Sequence, residues 1–148
     1  MSEGTYTEQD KDVMVKSAKA KNKSRLQELI DFARVCGFKK LGIANCIGVQ
    51  KYADKLVSVL REAGFEVYAV NCRESGLDAC RICGEMSGPC CDPLSQAAYL
   101  NECQTDFNIN VGLCLGHGLL FQKYSQAEVT TFLVKDFAHQ HNVVESLI

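Results

Sequence analysis

The segment NCRESGLDACRICGEMSGPCC, Asn71 to Cys91, holds five of the nine cysteines of the chain. Thiols crowded in this way serve as a disulfide scaffold, as ligands of zinc or an iron–sulfur cluster, or as a thiol active site. The spacing Cys80-x2-Cys83 lets two thiolates face one metal, and Cys90-Cys91 follows close behind. Gly76, Gly84, Gly88 and Pro89 permit the tight turns that wrapping a guest requires. Nine cysteines cannot all pair within one chain, and cysteine clusters in a reducing compartment are more often metal-binding or catalytic. The scaffold is therefore the least supported of the three.

Three further cysteines share a position. Cys46 follows the apolar run LGIAN, Cys72 follows EVYAV, and Cys114 closes FNINVGLC. If those runs are strands of a parallel sheet, their carboxyl ends lie along one edge, with neighbours about 4.8 Å apart. Thiols there can share a small ligand. The turn GLCLGHG adds His117 beside Cys114, with glycines suited to a sharp strand-to-helix transition and helix amides able to lower a thiol pKa. His117 is a candidate ligand, proton donor or partner to a ligand. Gly112-x-Cys114-x-Gly116 also fits a nucleophile elbow, with Asp136 and His139 following in acid-then-base order. On that alternative the protein is a thiol enzyme acting through Cys114 and His117, or through a Cys80/Cys83 dithiol. Nothing ties Cys36 or Cys103 to the edge, and His139 and His141 in the tail read otherwise as solvated or structural.

The elements that must position these groups can be read from periodicity. Residues 7–36 read as helix, with Thr7 and Asp10 as a capping pair, a possible break near Asn22, and Gly37 as the cap. Strands are expected at 41–45, 66–70, 107–113 and 129–134. A helix from Gln50 to Ala63 separates the first two, one starts at Asp92-Pro93, and a short one spans about Leu119 to Tyr124. Strands alternating with helices predict an α/β fold: a mostly parallel four-stranded sheet in order 2-1-3-4, helices on both faces, preceded by an N-terminal helical segment. That order reverses direction between the first and third strands, where ligands of open α/β sheets bind. The segment 1–36 and the domain 37–148 are read as one domain overall.

At 148 residues the chain is long enough for an ordinary core. A net charge of −2 gives no electrostatic case for nucleic acid or an anionic membrane, and no apolar run is long enough to span a bilayer. MSEGTYTEQDKD lacks the basic start and apolar core of a secretory signal, so the expected compartment is the cytoplasm.

The segments LGIANCIGV, CDPLSQAAYLNE and GLCLGHGLLFQKYSQAEVTTFLVKD resemble a domain-of-unknown-function family of cysteine-rich, predicted metal-binding proteins found largely in anaerobic bacteria and archaea. The similarity runs from about Leu26 to the C-terminus. Carried over by position, it implies Cys46, Cys72, Cys91 and Cys114 as the family's cysteines, His117 as its histidine, and His141-Asn142 as a matching pair. The chain departs from the family in having no cysteine before Cys36, Gly118 where aspartate is common, and Glu128 where proline is common. The resemblance implies metal binding, and its anaerobic association favours an iron–sulfur cluster over zinc. The expected ligands are Cys46, Cys72, Cys91 and Cys114, with Cys80, Cys83, Cys90 and His117 as alternates. A redox or regulatory protein is the expected partner, and the N-terminal helix could support a homodimer.

Overall fold

The computed structural model describes residues 1, 3–21 and 24–148. They divide into two compact units, Met1–Lys39 and Lys40–Ile148. In the first, α1 (Glu8–Ala20) and α2 (Arg25–Val35) pack on each other. Thr7 caps α1 reciprocally: its Oγ1 accepts from Asp10 N at 3.1 Å, while Asp10 Oδ2 accepts from Thr7 N at 2.9 Å. Ser24 Oγ caps α2 through Gln27 N. The expected break at Asn22 lies outside the described residues. Gly37, at φ +73°, lets the Phe38 amide reach back to the Ala33 carbonyl and end α2.

The second unit is built on β1 (Lys40–Asn45), β2 (Glu66–Asn71), β3 (Phe107–Val111) and β4 (Val129–Leu133), all parallel, in the order β2-β1-β3-β4. The predicted α/β architecture and strand order are those observed. Helices α3 (Gln50–Glu62), α4 (Pro93–Glu102) and α5 (Leu115–Tyr124) make the crossovers. Right-handed connections send α3 to one face of the sheet and α4 with α5 to the other. Leu41 and Ile43 are fully buried along β1, between the flanking strands. On the α4–α5 face, Ala44, Val70, Ala97, Leu100, Leu113 and Phe121 form one core cluster. Gly42 keeps that face close: a Cβ there would lie 2.1 Å from the buried Asn108 Oδ1.

In the second unit, two boundaries differ from the sequence reading by more than one residue. β3 stops at Val111, because Gly112 turns to φ +69°, and α5 begins at Leu115, four residues before the expected Leu119. Gly116 and Gly118 discourage a helix by propensity, yet Phe121 is fully buried in the core cluster and holds this segment against the sheet. After β4 the chain closes in two 3-10 turns, Phe137–His139 and Val143–Leu147. No described helix is long and apolar enough to cross a membrane.

Candidate functional site

The strand order sets the site. Along the carboxyl edge the chain leaving β2 supplies Cys72, that leaving β1 supplies Cys46, that leaving β3 supplies Cys114, and that leaving β4 supplies Lys135. Each exit is tied to its neighbour through the backbone. Cys72 N donates to Asn45 O at 3.0 Å, Cys46 N to Val111 O at 3.1 Å, and Gly112 N to Leu133 O at 2.7 Å. The sheet ladder thus continues one residue or more past the strands and carries the side chains with it.

Beyond Cys46 the chain folds into a 3-10 turn, Ile47–Val49, whose first two amides point at sulfur. Ile47 N donates to Cys72 Sγ and Gly48 N to Cys46 Sγ, both at 3.3 Å. Gly48 fits this turn closely, since a Cβ would stand 3.0 Å from the Phe137 ring. Both sulfurs are buried, Cys46 at 7% and Cys72 at 1% exposure. Burial pushes the Cys72 thiol up to about 11, against the pull of the Ile47 amide.

Cys91 arrives from the far end of the loop that leaves β2. Asp92 N donates to Cys72 O at 2.8 Å, and the Asp92 carboxylate caps α4 at Ser95 N while accepting from the hydroxyls of Ser75 and Ser95, each at 2.6 Å. This knot sets Cys91 Sγ 3.4 Å from Cys72 Sγ, the thiol of Cys91 donating. The Arg73 guanidinium lies against Cys91, whose sulfur raises its pKa.

Cys114 occupies the N-cap position of α5 without capping it. Its sulfur instead accepts from Lys135 Nζ at 2.9 Å, and the same ammonium reaches Cys46 Sγ at 3.2 Å. Burial acts to strip the charge from Lys135, but the sulfurs of Cys114 and Cys46 outweigh it and raise the pKa. Gly112 is needed for this approach: besides its positive φ, a Cβ there would lie 2.7 Å from Val49 Cγ2 and 3.5 Å from Lys135 Cβ.

Four sulfurs therefore line one rim in two pairs: Cys72 with Cys91 in direct contact, and Cys46 with Cys114 joined by one lysine. The remaining candidates lie elsewhere. Cys80 and Cys83 are exposed around the 3-10 turn Ala79–Arg81, where the Asp78 carboxylate raises the Cys80 thiol. Cys90 turns its thiol to the Cys91 carbonyl at 3.4 Å. His117, half-buried in the first turn of α5, takes no part in the hydrogen bonds around the sulfurs. His139 binds the Asp136 carboxylate at 3.1 Å, and His141 Nδ1 accepts from Asp136 N at 2.9 Å, but the group touching Cys114 is Lys135 rather than either histidine.

Sequence reasoning missed Lys135 and Arg73. Lys135 had a signal: it lies two residues past the fourth strand, on the edge where the other three strands deliver cysteines. Among the described residues, no group of three or more His, Cys, Asp or Glu side chains is gathered closely enough for a single metal ion.

Residues 2–132 match a family described as proteins of unknown function, DUF1847. An uncharacterized protein of Methanocaldococcus jannaschii, MJ0455, is 45% identical over 130 residues, covering 84% of this chain and 67% of its own length. No solved structure matches. The match runs from ahead of β1 to within β4 and takes in all four rim cysteines, and by it the chain belongs to the DUF1847 family.

Proposed function

We propose that this protein carries an iron–sulfur cluster on Cys46, Cys72, Cys91 and Cys114 and serves a redox or sensing role. The observation that carries the reading is the two-and-two grouping: Cys72 Sγ and Cys91 Sγ are 3.4 Å apart, and Cys46 and Cys114 share the Lys135 ammonium. A closed zinc site takes all four donors onto one ion. A two-iron cluster takes four cysteines in pairs, one pair to each iron, so the donor set fits it better. The surroundings support an anionic centre. Two backbone amides donate to sulfur, and Lys135 and Arg73 place positive charge beside it. Hydrogen bonds and charges of this kind set the potential of such clusters. When bound, the cluster would supply one-electron transfer, with a redox protein as the partner.

The test is purification without oxygen, followed by iron, sulfide and zinc analysis and a visible spectrum. The expected result is a brown protein with about two irons and two sulfides per chain. Replacing Cys72 or Cys91 by serine should lower iron content several-fold, whereas Cys80→Ser and Cys83→Ser should leave it unchanged. Stoichiometric zinc without sulfide would replace the cluster by a structural metal.

A second reading, a thiol enzyme acting through Cys114, is favoured by the 2.9 Å contact that sets the Lys135 cation beside its sulfur. Metal-free protein in which a single thiol alkylates rapidly at neutral pH, and stops doing so in Cys114→Ser, would establish it.

A further inference from the structure

The ammonium between two thiols has a chemistry of its own, distinct from cluster binding. We propose that Lys135 and Cys114 form a site of reversible oxidative modification, in which dioxygen joins Lys135 Nζ to Cys114 Sγ through a single bridging oxygen.

Three observations select this pair. The nitrogen and sulfur are 2.9 Å apart, about the span of one bridging oxygen, so the link forms without moving the backbone. Both side chains line an open cavity of about 550 Å³ between α5 and β4, together with Asn110, Leu119 and Thr131, so a small oxidant reaches them. Their positions are fixed from both sides: Gly112 N is tied to Leu133 O at 2.7 Å, and Asn110 Oδ1 accepts from Leu113 N at 3.0 Å. Cys46 is the competing thiol, but its sulfur is farther from Nζ, at 3.2 Å, and the residue is buried and does not line that cavity.

The reaction balances with dioxygen alone. An ammonium beside a thiolate holds the same atoms as an amine beside a thiol. The O–O bond breaks; one oxygen forms the new S–O and N–O bonds. The other leaves as water, taking the thiol hydrogen and one amine hydrogen. Dioxygen is reduced by four electrons drawn from sulfur and nitrogen. Thiols oxidised to the sulfenic level condense readily with neighbouring thiols or nitrogen, and a nitrogen held in contact diverts Cys114 from the irreversible sulfinic and sulfonic acids. Four external thiols, leaving as two disulfides, would return the four electrons, release the bridging oxygen as water and restore both side chains. The bridge would take Lys135 away from Cys46 and withdraw Cys114 from any guest of the rim, recording exposure to oxygen.

The experiment uses the full chain purified without oxygen, then stripped of any metal by a chelator. One portion is kept anaerobic, one is held in air-saturated buffer, and one is reduced with dithiothreitol after air. Each is alkylated, digested with trypsin and analysed by mass spectrometry. In the aerated portion we expect the Cys114 peptide joined to the Lys135 peptide, one oxygen heavier and two hydrogens lighter than their sum, with no cleavage after Lys135. Dithiothreitol should abolish the joined species. Lys135→Arg, which keeps the charge, should lose it and carry Cys114 forward to sulfinic acid, whereas Cys46→Ser should keep it. Unlinked peptides after aeration, with normal cleavage at Lys135 and Cys114 as a disulfide or sulfur acid, would overturn the proposal. Iron and sulfide are measured on a separate portion before stripping, so loss of the cluster reading and loss of this one are told apart.

Discussion

Asp92 shows how much of the rim depends on one side chain. It caps α4, accepts from two serine hydroxyls, and through its own amide holds the Cys72 carbonyl, so that Cys91 is delivered to Cys72. Burial acts to raise its pKa, but the hydrogen bonds from Ser75 and Ser95 prevail and lower it below 3.8. A carboxylate with a depressed folded pKa contributes stability above its unfolded value, and that contribution is lost as pH falls through the folded one. Asp92→Ala should therefore cost about 1 kcal/mol near neutrality, as expected for a lost N-cap. The difference from wild type should shrink below pH 3.8, as measured by denaturant unfolding at a series of pH values. Parallel curves down to the lowest pH would show that the carboxylate is not the group responsible. The cap was legible in the sequence as Asp92-Pro93. Its second task, setting Cys91 rather than Cys80, Cys83 or Cys90 at the rim, depends on a contact with Cys72 that no local pattern announces.

At the scale of elements, three helices end in the same way, and one does so at a cost. After α2, α3 and α4 a residue in the left-handed region lets the next amide reach back five positions, to Ala33, Leu60 and Leu100. Gly37 and Gly64 adopt this conformation freely, but after α4 the position is Gln104, at φ +56°. Gln104→Gly should stabilise the protein by about 0.5–1 kcal/mol, read as a shift in the unfolding midpoint at unchanged denaturant dependence. The glycines made the ends of α2 and α3 readable from sequence, whereas the end of α4 was not marked. The start of α5 was hidden for the opposite reason. Its two glycines argue against a helix locally, and Phe121 overrides them by packing with Leu100, Leu113 and Ala97 in the core.

Across the whole molecule, strand order was the most legible property, because β1 to β4 are short, largely apolar runs separated by helical periodicity, and right-handed crossovers leave few arrangements. Cys46, Cys72 and Cys114 followed from that order, as Cys91 did not; nor did Lys135 and Arg73, since a single charged residue past a strand usually meets solvent. A guest on the rim would join chain segments leaving β1, β2 and β3 to the start of α4. Its removal should therefore lower the unfolding temperature and speed amide exchange most in residues 73–91, a loop held in its middle by one isolated bridge between Asp78 and Pro89. Uniform exchange across the chain would mean that the guest does not bind there. The sulfurs are also far apart along the sequence, from Cys46 to Cys114, with Lys135 later still. During synthesis Cys46, Cys72 and Cys91 are all made before β3 can sit beside β1. The nascent chain thus passes through an interval with bare, unshielded sulfur, and its yield in a living cell depends on how reducing the surroundings are until β3 and β4 are in place.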